Sequence, residues 1–181
     1  MNQLAPQRMT VEEFIDWTRV QPKGRYELED GWIVEMPSET VLHLDVKLNV
    51  AIALRQAART SLLPCHALTD GAMVRIDPKR SYRPDAVIYR GEKLAPQTIE
   101  IPAPVVVVEV LSPSSEDRDT VVKLANYFKV ESIVHYLIVD PVAQSVVHHK
   151  RGHPPHAIIS GTIILDPPGL TIAVADFFAE T

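Results

Sequence analysis

The chain has 181 residues, 46% hydrophobic and 23% charged, with a formal net charge of −5. That length carries one sizeable core and is short for two, so one globular domain over residues 1–181 is expected and disorder is not. The acidic balance excludes a protein that coats nucleic acid through clustered Lys and Arg, and no run approaches the roughly 18 apolar residues of a membrane span.

No N-terminal stretch reads as a signal peptide, and the single Cys65 excludes an internal disulfide, so a reducing, cytoplasmic compartment is expected. Thr10-Val11-Glu12-Glu13 matches a capping box ahead of Phe14, Ile15 and Trp17, which predicts a short first helix. Asp30-Gly31 predicts a hairpin over 25–36. From Thr40 to Arg59 the apolar positions Val41, Leu44, Leu48, Ala51 and Ile52 recur at helical spacing, predicting the longest helix with that face on a sheet.

Strands are predicted at 67–76 and 83–89, and an irregular connection over 91–104 stops at Pro102 and Pro104. A strand follows in Val105–Leu111, ended by Ser112-Pro113-Ser114. The next helix, about 116–130, carries Val121, Leu124, Tyr127 and Phe128 on one face. Strands at 135–140, 145–149, 157–165 and 170–174, with a brief terminal helix from Asp176, complete an α/β or α+β fold: a mixed sheet flanked by helices.

Within the valine strand sits Glu109. An unpaired carboxylate in a core costs several kcal/mol, so it needs a cation, a donor or a proton. Asp85, in Arg83-Pro84-Asp85-Ala86, is the expected companion, because Pro84 cannot donate to a ladder and places Asp85 at a strand mouth. Alone, Asp85 would read as a strand cap; with Glu109 on a neighbouring strand, the pair reads as an oxygen site for Mg²⁺ or Mn²⁺. Arg75, Lys79, Arg80, Arg83, Arg90 and Lys93 give a locally basic segment, read equally as a solvated hairpin face. The histidines around Gly152 and Pro154 lack zinc-ligand spacing and read as a polar hairpin tip.

RPDAVI, PAPVVVVEVLSPSSEDRDTVVKLANYFKV, YELEDGWIVEMPSE, YLIVDP and a terminal DFF together resemble the Uma-type restriction-endonuclease family, a branch of the PD-(D/E)XK nuclease superfamily. The resemblance runs almost from end to end. It implies a restriction-endonuclease-like core, DNA as substrate, 5′-phosphate and 3′-hydroxyl products, and often a homodimer. It also implies that Asp85, Glu109 and the main-chain carbonyl of Val110 hold the metal.

The superfamily's usual Glu-x-Lys lysine would fall at position 111, which is Leu111. The resemblance moves that role to Lys123 on the following helix, where the plain alternative is an exposed pair with Asp119. It also brings in Glu27, otherwise a residue facing water across the hairpin from Glu35, and His43, otherwise an ordinary cap-region histidine. The rival reading is a catalytically inactive module that keeps the fold and binds nucleic acid or protein.

Overall fold

The structure is a computed structural model and describes residues 8–21, 24–61, 63–112 and 117–179. Helix α1 (Val11–Val20) starts at the Thr10–Glu13 capping box: the Glu13 N–H donates to Thr10 Oγ1 at 3.3 Å, and Glu13 Oε2 accepts from the Thr10 N–H at 2.8 Å. Its buried face, Val11 and Phe14, packs on Leu28 and Met73. The hairpin β1 (Tyr26–Glu29) and β2 (Trp32–Glu35) turns through Asp30 at φ 48° and Gly31 at φ 80°, the two positive φ values of the turn that matches strand twist.

Helix α2 (Val41–Thr60) begins at Thr40, whose hydroxyl accepts from the His43 N–H at 3.3 Å. The segment expected to be one strand over 67–76 is two, because Asp70-Gly71, with Gly71 at φ 109°, breaks it into β3 (Cys65–Thr69) and β4 (Val74–Asp77) in different sheets. Likewise, 83–89 is not a strand throughout: β5 (Arg80–Tyr82) ends before Arg83-Pro84-Asp85, and β6 (Ala86–Arg90) begins after it. Strand β7 (Pro104–Val110), helix α3 (Asp117–Tyr127), β8 (His135–Asp140) and β9 (Ser145–Lys150) follow, then β10 (His156–Ile158), β11 (Thr162–Leu165) and β12 (Leu170–Ala173). The expected strand over 157–165 is therefore also interrupted, at Gly161 with φ 84°. A 3₁₀ turn at Val174–Phe177 takes the place of the terminal helix. The Pro113-Ser114 turn and the Asp119 side chain lie outside the described residues.

The main sheet has the order β10-β9-β8-β7-β6-β3, and a smaller one the order β2-β1-β5-β4. The chain is thus a mixed α/β protein, as the order of its elements predicted. Strand β7 lies at the centre, antiparallel to β6 and parallel to β8, with α3 in the crossover. Both of its faces are covered, which explains the unbroken valines. Val106, Val108 and Val110 pack in the core shared with α2 and β11–β12, and Val107 packs among Tyr82, Tyr127 and Tyr136 on the α3 side.

Two predicted helix faces are corrected. In α2 the buried positions are His43, Val46, Lys47, Val50, Ala53, Leu54 and Ala58, whereas Val41, Leu44, Leu48 and Ile52 are exposed. In α3, Tyr127 is buried and Leu124 and Phe128 half-buried, but Val121 faces outward. Among the described residues, no helix is long and apolar enough to cross a membrane.

Candidate active site

Strand β6 begins one residue after Asp85, so in front of the β7 terminus there is a carboxylate in place of a ladder carbonyl. Asp85 Oδ2 accepts from the Val110 N–H at 2.7 Å. Its other oxygen meets Lys47 Nζ of α2 at 3.0 Å. Burial would raise the Asp85 carboxyl, but the His43 side chain, the Lys47 ammonium and the Val110 N–H outweigh it and hold the group below its ordinary value.

Because side chains alternate along a strand, Glu109 points to the opposite face from Val108 and Val110, toward α3. There the Tyr127 hydroxyl donates to Glu109 Oε1 at 2.7 Å, and Lys123 Nζ lies 3.5 Å from the same oxygen. Lys123 Nζ also sits 3.0 Å from Glu27 Oε2, while Glu27 Oε1 accepts from the Arg83 N–H at 2.8 Å. Burial pushes the Glu109 carboxyl up to about 8, against the pull of Lys123, with the Asp85 and Glu27 charges adding to the rise. Lys123 is therefore buried in this cluster rather than exposed on the helix surface. Glu27 is buried too and stands opposite Val34 in the hairpin register, not opposite Glu35.

His43 occupies the first turn of α2, with Nδ1 3.3 Å from the Leu111 carbonyl oxygen. A donated Nδ1–H there leaves Nε2 as the lone-pair atom. That Nε2 is buried without a hydrogen-bond partner among the described residues and faces Glu39 Oε1 at 3.4 Å and Asp85 Oδ2 at 3.8 Å. The second distance is a charge contact rather than a hydrogen bond. Burial alone would lower the His43 pKa; the Asp85 carboxylate, the Leu111 carbonyl and the Glu39 charge reverse that and raise it.

Ligand atoms of Glu39, His43 and Asp85 lie within 4.8 Å of one another. Glu27, His43, Asp85, Glu109 and Lys123 all line one cleft of roughly 230 Å³, rimmed by residues 34–39 and by Leu111 and Ser112. The donor set is one a hard or borderline dication accepts: carboxylate oxygens plus an imidazole nitrogen with no other partner.

A family sequence profile described as "Putative restriction endonuclease", Uma2, matches residues 11–175. The chain belongs to the Uma2 family. The crystal structure of "a putative nuclease belonging to DUF820" from Anabaena variabilis superposes with a TM-score of 0.74 at 16% identity, covering 94% of this chain and 98% of that one. No curated protein matches it.

In this Uma2 chain the site draws on residues that periodicity and motif spacing did not single out. Glu39, Asp70 and Arg25 surround Lys47: its Nζ lies 2.8 Å from Glu39 and 3.0 Å from Asp70, and Arg25 pairs with both acids. Lys47 was hidden inside a helix whose other face looked apolar. The unusual signal was a lysine at i+4 from His43, but that spacing is common on any helix.

Two of the six cations of the basic segment 75–93 are held in structural pairs. Arg75 bonds Glu12 and Glu100, and Arg80 bonds Glu29 and Asp77. Of the histidines around Gly152 and Pro154, His148 lies inside the sheet, its Nε2 2.8 Å from His135 Nδ1.

Proposed function

We propose that this Uma2 chain is a divalent-metal-dependent endonuclease that hydrolyses DNA phosphodiester bonds. The observation that carries the reading is the convergence on one cleft of Asp85 from the mouth of β6, Glu109 from inside β7 and Lys123 from α3. A family described as nucleases and a fold matching one agree with it.

Mg²⁺ or Mn²⁺ would be held by Asp85, Glu109 and the Val110 carbonyl, with the unpartnered His43 Nε2 facing the same place. Bound there, such an ion supplies charge neutralisation of the phosphate and a lowered pKa for an attacking water. The Val110 N–H and Lys47 keep Asp85 ionised and fix its direction. Tyr127 holds Glu109 Oε1 and so anchors the carboxylate to α3. Lys123, tethered by Glu27, presents a cation where charge develops on the phosphoryl oxygens, the task a lysine at position 111 performs in the commoner pattern. His43 and Glu39 close the α2 side of the cleft.

The inactive-module reading draws on Leu111 and on the acidic surface; a lysine 3.5 Å from Glu109 supports the enzyme reading in its place. The test is cleavage of plasmid and branched DNA with Mg²⁺ or Mn²⁺. Asp85→Asn, Glu109→Gln and Lys123→Met should each lose on the order of 10²–10³-fold in rate while the fold is retained. Cleavage that persists in both carboxylate variants would overturn the assignment.

A further inference from the structure

Helix α2 is apolar on two sides, and among the described residues only one packs in the core. Its core side carries Val46, Val50 and Leu54, each fully buried. Val41, Leu44, Leu48 and Ile52 are 74%, 48%, 59% and 45% exposed. At 3.6 residues per turn those four fall within roughly 80° of arc, about 160° from the buried stripe, over about 16 Å of helix. Scattered exposed leucines need no explanation, but a continuous stripe on a sheet-packed helix does.

The charges beside the stripe indicate what covers it. Asp45 lies beside its N-terminal half, and Arg55 and Arg59 just beyond its C-terminal end; all three are exposed and form no ion pair within the chain among the described residues. Two copies of α2 packed parallel would set Asp45 against Asp45 and the arginines against arginines. Packed antiparallel about a two-fold axis near Ala51, each Asp45 meets the other copy's Arg55 and Arg59, Leu48 and Ile52 meet Ile52 and Leu48 of the other copy, and Leu44 lies along the arginine stems. A surface whose apolar centre meets itself and whose acidic and basic flanks meet one another is self-complementary, as an isologous interface requires. Ala51, half-buried at the edge of the stripe, lets the axes approach.

We propose that the outer face of α2 is a homodimer interface, closed by a second copy of this chain in an antiparallel helix pair. The catalytic cleft lies at the α2 N-terminus on the other side of the helix, so the pairing leaves it open. His43 of the two copies would stand at opposite ends of the pair, separated along the axis by about 24 Å. The inference does not depend on the nuclease assignment. One helix pair is a small interface, so the dimer should dissociate on dilution.

The test is sedimentation velocity of the full chain over a dilution series. The wild type should pass from dimer to monomer, and Leu48→Glu with Ile52→Glu should be monomeric throughout with unchanged circular dichroism and Tm, since both positions are exposed. Asp45→Arg alone, or Arg55→Asp with Arg59→Asp, should weaken self-association on the order of tenfold or more, because each contact occurs twice. Mixing those two variants should restore a dimer containing one copy of each, since every charge then faces its opposite. A wild type that is monomeric at all concentrations overturns the proposal. So does a dimer that survives Leu48→Glu with Ile52→Glu; charge variants that fail to complement on mixing overturn the antiparallel arrangement.

Discussion

The two carboxylates that the sequence pairs are held in opposite protonation regimes by their immediate neighbours. Asp85 sits among Lys47, His43 and a backbone N–H and stays low, whereas Glu109, buried and facing the Asp85 and Glu27 charges, is pushed up to about 8. A metal ligand must be ionised, so apparent Mn²⁺ affinity should rise with pH up to about 8 and level off above it, with close to one proton released per ion bound below that pH. Calorimetry in buffers of different ionisation enthalpy reads that release directly, and affinity flat from pH 6 to 9 would show that ion binding displaces no proton from Glu109.

Lys47 illustrates the reverse role. Its Nζ is shared by Glu39, Asp70 and Asp85, and it does not line the cleft. Removing it leaves buried acids uncompensated, so Lys47→Met should cost about 3–5 kcal/mol of stability by denaturant unfolding. Lys123→Met, at the cleft, should show its main effect on turnover.

At the scale of elements, α2 is where the periodicity misled. A helix apolar on both sides satisfies the amphipathic template twice, and the hydrophobic pattern alone cannot choose between Val41-Leu44-Leu48-Ile52 and Val46-Val50-Leu54. Polar chemistry chose: His43 and Lys47 share the second face and reach Asp85, and small Ala53 and Ala58 let that face approach the sheet. The assignment is open to a direct measurement. Leu54→Ala should destabilise by about 2–5 kcal/mol, whereas Leu48→Ala should change monomer stability by about 0.5 kcal/mol or less. Equal losses would mean that α2 is rotated from the orientation described. The strand breaks were missed for a related reason: Gly71 and Gly161 adopt φ values that end a strand, inside segments whose apolar content continues across them.

At the scale of the molecule, β8 and β9 are tied to the loop before β12 through histidine. His135 Nε2 donates to the Pro167 carbonyl at 2.9 Å, which leaves Nδ1 to accept from His148 Nε2 at 2.8 Å. The His135 ring must then be neutral, and burial lowers both histidines to about 4. Because the unfolded chain takes up these protons near pH 6.5 and the folded one near 4, the stabilisation is complete above about 6.5 and is lost as pH falls toward 4. It amounts to about 3 kcal/mol for one histidine. Tm should therefore drop across that window in the wild type and drop less in His148→Gln; equal slopes would remove the histidine pair as the cause.

The sequence by itself determined the mixed α/β order of elements, the buried β7 strand, the placement of Asp85 at a strand mouth and the family, because strand composition, proline chemistry and local motifs are encoded within a few residues. Only the tertiary structure decided that Lys123 is buried against Glu109 and Glu27, that Glu39, Asp70 and Arg25 enclose Lys47, and that one apolar face of α2 is left to solvent. Each of those depends on contacts between segments tens of residues apart. A side chain's neighbours across such distances follow from how the layers pack, which no local pattern specifies.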